Sequence, residues 1–292
     1  MRRACIDIGS NTTRLLVADR VDDELVEICQ ERAFTQIARS LDANRAIPEA
    51  KLEEVVRSVA GQLASARRLG VADVRCVATA GVRRAANGER LVSMIERVCD
   101  GLSVTVLTGD EEGRLAFIGA AWGCRQHGQP RVGGALGVVD IGGGSSELIV
   151  GVPPDQIEWC RSLAIGSSDL IGSEIRSDPP SVDECARASA RVHDAFAGLQ
   201  PPEVGRAVAV GGSAASLTRI VGPLLDQGAL GLSLEVLQRL PAAEVAQQYQ
   251  LDIDRVRLLP SGILLLMEVS ALFGSALTVG GAGLREGLLL DG

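Results

Sequence analysis

Cys5-Ile-Asp-Ile-Gly-Ser-Asn-Thr-Thr-Arg-Leu-Leu-Val17 aligns without a gap on Val138-Val-Asp-Ile-Gly-Gly-Gly-Ser-Ser-Glu-Leu-Ile-Val150, 133 residues further on. Each stretch is a β-branched apolar run ending in an aspartate, a turn of small residues, and a second apolar run. That order reads as a β-hairpin closed by a tight turn. The spacing is far longer than a solenoid period, so the repeat implies two similar lobes, each opening with the same hairpin.

Composition agrees. A chain of 292 residues is too long for one compact core and suits two lobes. Hydrophobic residues make up 46% and charged residues 23%, a globular profile, whereas aromatics at 2% leave the cores to Ala, Val, Leu and Ile. So few rings argue against single-stranded nucleic acid, and a net charge of −8 argues against any broad nucleic-acid surface. Of 29 basic residues only Lys51 is a lysine, so arginine carries the cationic chemistry. The cysteines are scattered, with no C-x-x-C and no close histidine; a zinc site or disulfide framework is not expected, and a reducing, cytoplasmic setting is. The first strand begins almost at Met1, leaving no room for a signal peptide. Ser261 to Leu284 is apolar enough to resemble a membrane span, but Glu268 sits in its middle and Gly274, Gly280, Gly281 and Gly283 interrupt it. A buried helix followed by a buried strand is expected there, and no membrane association.

Outward from the first hairpin, Glu24 to Phe34 reads as a third strand. Pro48 opens a helix with Leu52, Val55, Val56, Val59, Ala60 and Leu63 at helical spacing, and Gly70 stops it. Strand Val74–Thr79, helix Glu89–Val98, strand Val104–Leu107 and a helix from about Asp110 to Gly123 follow. The second lobe adds a polar stretch containing Pro179 and Pro180, a helix over Val182–Phe196 and a strand over Arg206–Val210. A helix near Ala214, one at Pro260, a strand over Ala276–Val279 and a short closing helix over Leu284–Leu290 complete it. The expected lobes are residues 1–118 plus 284–292 and residues 119–283, in an α/β fold.

The turns Gly9-Ser10-Asn11-Thr12 and Gly142-Gly143-Gly144-Ser145 offer backbone N–H groups and short hydroxyls with little bulk, the means by which a loop wraps anionic oxygens. Either alone could be a plain tight turn; matched copies, each preceded by an aspartate, point to a phosphate chain held between them. Asp7 and Asp140 could cap their own turns, or hold Mg²⁺, which takes one or two carboxylates plus substrate phosphates. Glu147 is a candidate second ligand, and the first copy has Arg14 in its place. Gly211-Gly212-Ser213, between a strand and a helix, is a third candidate anion turn; Gly280 to Gly283 before Arg285 and Glu286 is a fourth, or only a tight link. In Thr108-Gly-Asp-Glu-Glu112, a capping box accounts for Glu111 and leaves Glu112 without that task. A carboxylate there could serve as a base, or belong to an ordinary acidic first turn. Arg83 offers a bidentate fork to phosphoryl oxygens, or is an exposed loop arginine. His127 and His193 read as surface residues without partners.

In this order the pieces resemble the exopolyphosphatase/guanosine pentaphosphate phosphatase family, of the superfamily of acetate and sugar kinases, actin and heat-shock chaperone ATPases. The resemblance covers essentially the whole chain. It rests on Asp7 to Thr12, Thr79-Ala-Gly-Val-Arg83, Gly109-Asp-Glu-Glu-Gly-Arg-Leu115, Val139 to Glu147, Gly211 to Ser213 and Gly283-Leu-Arg-Glu-Gly287. It implies two ribonuclease-H-like, actin-like lobes around a cleft, Glu112 as catalytic base, Arg83 as a phosphate ligand, the turns as the phosphate cradle, and Asp140 with Glu147 on the Mg²⁺ side. The closing helix would then fold back onto the first lobe. Two departures stand out: longer members carry C-terminal helical domains that would begin where this chain stops, and Ala38 to Ile47 lacks that loop's usual glycines. The expected activity is Mg²⁺-dependent release of terminal phosphate from short inorganic polyphosphate, with guanosine pentaphosphate as the other substrate and a homodimer as the oligomer to test. An ATP-dependent small-molecule kinase and a non-enzymatic actin-like nucleotide module are the alternatives.

Overall fold

The computed structural model describes residues 1–22, 24–126 and 134–291. β1 (Arg2–Ile8), β2 (Thr13–Val21) and β3 (Glu24–Ala33) form an antiparallel meander, followed by α1 (Ile37–Ser40) and α2 (Glu49–Arg68). β4 (Val74–Ala78), the single turn α3 (Ala80–Arg83), α4 (Gly88–Val98) and β5 (Val104–Val106) complete the first sheet, in the order β3-β2-β1-β4-β5. α5 (Gly109–Gln126) leads to a second meander of β6 (Leu136–Ile141), β7 (Ser146–Val152) and β8 (Gln156–Leu163). Then come α6 (Val182–Phe196), β9 (Arg206–Val210), α7 (Gly212–Val221), β10 (Leu224–Leu225), α8 (Gln227–Arg239), α9 (Ala242–Tyr249) and α10 (Ile253–Val256). α11 (Leu259–Leu272), β11 (Leu277–Val279) and α12 (Leu284–Leu290) close the chain, and the second sheet runs β10-β11-β9-β6-β7-β8.

The repeat is deeper than its sequence. Asp7 pairs opposite Arg14 across the first hairpin, as Asp140 pairs opposite Glu147 across the second. Each meander carries a bulge, at Ile28 of β3 opposite Val17 and Ala18 and at Glu158 of β8 opposite Val150 and Gly151, at equivalent positions of the two copies. In the second lobe the expected polar stretch after the hairpin is in part the strand β8. It alternates too weakly to be read, because it is an edge strand whose residues are exposed or only partly buried. The helices α8, α9 and α10 also went unread, since their apolar faces are short and mixed with polar residues. Arg83 belongs to α3, not to a loop.

Each sheet is covered on both faces. Leu52, Val55, Val59 and Leu63 of α2 and Leu91 and Ile95 of α4 bury against Ile6, Ile8, Leu15 and Val17. On the opposite face Leu115 of α5 and Leu284, Leu288 and Leu289 of α12 meet Cys5, Leu16 and Val77. α5 continues beneath the second sheet, where Phe117, Ala120 and Ala121 pack on Val138, Ile149 and Val208. One helix therefore contacts both sheets, and the expected boundary at residue 118 falls inside it. α12 docks on α5 backbone to backbone: a β-carbon at Gly119 would collide with the Gly283 carbonyl, and one at Gly287 with the Leu115 carbonyl. The Ser261–Leu284 segment is the buried helix α11 and the strand β11, and among the described residues no helix is long and apolar enough to cross a membrane.

Candidate active site

The two hairpin turns close with the same bond, Gly9 N–H to the Thr12 carbonyl at 3.0 Å and Gly142 N–H to the Ser145 carbonyl at 3.0 Å. They face one another: a β-carbon at Gly144 would lie 2.7 Å from Ser10 Oγ. Between them opens a cleft of about 600 Å³ whose wall includes Gly9, Ser10, Asn11, Thr12, Gly142, Gly143 and Ser145. The start of α7 adds Gly211 and Gly212. Gly211 has φ +88°, and a β-carbon there would sit 2.6 Å from Asp140 Oδ1, so a side chain is excluded both by backbone conformation and by the carboxylate. Gly144 is covered by Ser10, and Ser213 lies beneath α11 against Gly262. Neither reaches the cleft surface.

Five carboxylates line this cleft, Asp7, Glu112, Asp140, Asp252 and Glu286, and the first three are buried beside the two turns. Thr108 and Glu111 form the reciprocal cap of α5, with Thr108 N–H donating to Glu111 Oε2 at 2.8 Å and Glu111 N–H to Thr108 Oγ1 at 3.2 Å. Glu112, the next residue, turns inward and is only 6% exposed. Burial pushes its carboxyl up to about 7, opposed by the Arg83 guanidinium beside it. Arg83 Nη1 donates to Glu112 Oε2 at 3.1 Å and to the Leu107 carbonyl at 2.6 Å. Its guanidinium therefore stands behind Glu112 and is not part of the cleft wall, unlike the expected phosphate ligand. Asp7 and Asp140 are each raised to about 6, chiefly by burial. Glu147 is buried behind the wall, accepts from Ser162 Oγ at 2.8 Å, and is held well above the usual carboxylate range by burial and by Glu112 and Asp140 nearby.

The cleft is also rich in arginine. Arg14, Arg32, Arg219, Arg255 and Arg285 line it, and Arg14 stands directly opposite Arg32 on the β2–β3 ladder. Like charges opposite one another on a sheet repel. Burial lowers Arg14 to about 10 and Arg255 to about 10, with neighbouring guanidinium groups contributing in the same direction. Among the described residues, Arg14 Nε is buried without a hydrogen-bond partner. Arg14 and Arg285 stood out in the sequence without an assigned role, while Arg32, Arg219 and Arg255 were missed. Arg32 lies on β3, a strand the sequence predicts but with no motif around it to mark a role. Nothing local marks Arg255, which the chain reaches only after α7, α8 and α9. His193 Nδ1 lies 3.0 Å from Glu268 Oε1, so this surface residue does have a partner, and His127 lies outside the described residues.

Among the described residues no three His, Cys, Asp or Glu side chains are gathered into a metal cage. Mg²⁺ is held by one or two carboxylates, with waters and phosphate oxygens completing its shell. Asp7 Oδ1 is buried with no partner, and Asp140 Oδ1 faces the space that Gly211 leaves open. The donor set fits that ion.

Known proteins match this chain over nearly its full length. A guanosine-5'-triphosphate,3'-diphosphate pyrophosphatase of Aeromonas hydrophila is 27% identical across 98% of this chain and 58% of its own length, so the chain spans little more than half of that relative. Exopolyphosphatase 1 of Mycobacterium tuberculosis is 27% identical over 99% of this chain and 88% of its own. The crystal structure of the Aquifex aeolicus Ppx/GppA family member superposes with a TM-score of 0.82 at 27% identity, covering 100% of this chain and 97% of that one. The model of the Ppx/GppA phosphatase family matches residues 16–292, and the chain belongs to that family.

Proposed function

We propose that the cleft hydrolyses the terminal phosphoanhydride bond of a linear phosphate chain, inorganic polyphosphate or the 5'-phosphates of guanosine pentaphosphate. The observation that carries this reading is Glu112, a buried carboxylate at a helix start, on the wall of a cleft whose other walls are two anion-wrapping turns. In the reaction a water lies in line with the terminal phosphorus. Glu112 takes its proton while the water oxygen bonds to phosphorus and the bridging P–O bond breaks. Orthophosphate leaves, and the chain is one unit shorter. Phosphoryl transfer asks mainly for positioning and charge stabilisation, which these parts supply.

Amides and hydroxyls of Ser10, Asn11, Thr12, Gly142, Gly143 and Ser145 hold the transferring group. Asp7 and Asp140 would hold Mg²⁺, which when bound would neutralise phosphoryl oxygens, while Glu147 stays buried behind the wall on Ser162. Arg83 keeps Glu112 oriented and favours its ionised form. The repelling pair Arg14 and Arg32, with Arg255 and Arg285, receives the phosphates beyond the scissile bond. A cleft of about 600 Å³ has room for a short chain, and short polyphosphate is the preferred substrate. The lobes are residues 1–118 plus 284–292 and residues 119–283. The test is phosphate release from short polyphosphate, long polyphosphate and guanosine pentaphosphate, with and without Mg²⁺. No release from any of them, or ADP formation from ATP in the presence of an acceptor, would reject the reading.

A further inference from the structure

Arg83 and Arg84 leave the end of α3 as neighbours and go to different lobes. Arg83 turns to Glu112, as described. Arg84 Nη1 donates to the Gly144 carbonyl and lies 3.3 Å from Asp169 Oδ2. Asp169 is itself fixed, because its Oδ2 also accepts the Gly166 N–H at 2.9 Å. The segment around it is strapped to the second turn: Ser167 N–H bonds to the Gly142 carbonyl at 2.9 Å and Ser168 N–H to the Gly143 carbonyl at 2.8 Å. Arg84 therefore crosses from the first sheet's lobe to both the glycine turn of the second and the loop that braces it. The ion pair is shielded, with its two side chains 26% and 19% exposed.

α3 is rigid where it needs to be. Arg83 N–H bonds to the Thr79 carbonyl and Arg84 N–H to the Ala80 carbonyl, each at 3.0 Å. A β-carbon at Gly81 would come within 2.7 Å of Ser10 Cα, so the same helical turn is seated against the first phosphate turn. One short element thus touches the first turn through Gly81, the base through Arg83, and the second turn through Arg84. Nothing in the hydrolytic chemistry requires Arg84 to meet the substrate, and it does not line the cleft.

We propose that Arg84 is a positioning residue, an interlobe clamp that sets the distance between the two phosphate turns and registers the second turn against Glu112. The kinetic part rests on the hydrolytic reading above; the geometric part does not. Displacing a reacting group by about 1 Å can cost roughly a hundredfold in rate, so Arg84→Ala is expected to lower kcat by about 10–100-fold while KM changes by less than about threefold. Asp169→Asn keeps the Arg84–Gly144 bond and removes only the ion pair, and gives a smaller loss in the same direction. Arg84→Lys keeps a cationic donor facing the Gly144 carbonyl and Asp169, and recovers most of kcat. Small-angle X-ray scattering on the same proteins reads the geometry directly: the radius of gyration rises in Arg84→Ala and returns in Arg84→Lys. Wild-type kcat in Arg84→Ala, or lost kcat with unchanged scattering and no recovery in Arg84→Lys, would overturn the clamp. Should the wild type release no phosphate from any substrate, the hydrolytic reading fails, and the scattering still decides the clamp: expansion on Arg84→Ala upholds it and no expansion overturns it.

Discussion

Glu112 Oε2 receives a hydrogen bond from Arg83 Nη1 at 3.1 Å, while the same nitrogen is anchored to the Leu107 carbonyl at 2.6 Å, so the cleft carboxylate is held by a cation that is itself fixed to the backbone just ahead of α5. Burial raises this carboxyl and the guanidinium opposes the rise. Replacing Glu112 by Gln keeps the shape and removes the base. Turnover should fall by a factor of roughly 10²–10⁴ with KM little changed. Steady-state phosphate release by Glu112→Gln checks this, and a variant with wild-type kcat would dismiss Glu112 as the base.

The same pair sets a pH dependence. A base works only when ionised, so kcat/KM rises with pH as the Glu112 carboxyl, near about 7 in the free protein, loses its proton. Arg83→Ala removes the group that favours the ionised form, and the carboxyl moves further up. The acid limb of the kcat/KM profile should therefore shift to higher pH, with the deficit largest below neutrality and smallest well above it. A uniform loss at every pH would instead mean that Arg83 acts on the phosphate.

Arg14 is a buried cation facing another cation, tolerable because the cleft is built to receive an anion. Arg14 also stands opposite the buried Asp7, so Arg14→Met should leave Tm within roughly 2 °C of wild type, relief of a buried cation being offset by the loss of a compensating charge beside Asp7. The same change removes a charged hydrogen bond to substrate, so KM should rise about tenfold or more. Thermal unfolding and KM measured on one preparation test both halves.

The α5–α12 contact allows no β-carbon at either crossing glycine. Gly287→Ala forces the helices apart, at a cost of about 3 kcal/mol, near the upper end for overpacking. Tm should drop by roughly 6–10 °C. Gly231→Ala, at a position with nothing within 4 Å, is the control and should leave Tm unchanged or slightly raised.

Glu184 closes the capping box of α6 with Ser181 and also accepts from Ser177, which holds its carboxyl down at about 2. A depressed carboxylate stabilises the fold above its unfolded pKa, near about 4.3, and that contribution fades as pH falls toward the folded value. Glu184→Gln should therefore be less stable than wild type at neutral pH. The difference should narrow through acid and vanish near about pH 2, read by denaturant unfolding across pH.

How far the sequence reaches is visible in particular residues. Val182–Phe196 and Leu284–Leu290 match α6 and α12 to the residue, because a capping serine or a flanking glycine marks their starts and apolar spacing marks their length. The hairpin repeat and the buried α11 were legible for the same local reasons. β8 was not, because every residue of this edge strand is exposed or only partly buried, and the alternation is lost. Glu112 stood out only as the glutamate left over once Glu111 was given the cap, and the reciprocal Thr108–Glu111 bonds bear that division out.

The chain's order of residues by itself determined two hairpins of one design, the aspartate before each turn, and family membership, since each of these depends on neighbours within a few positions or on direct likeness. Only the tertiary structure decided that Arg83 stands behind Glu112, that Arg84 crosses to Gly144 and Asp169, and that Arg14, Arg32 and Arg255 share one cleft. Those relations join residues tens to hundreds of positions apart, and the packing of α5 and α12 between two sheets is what brings them within reach of one another.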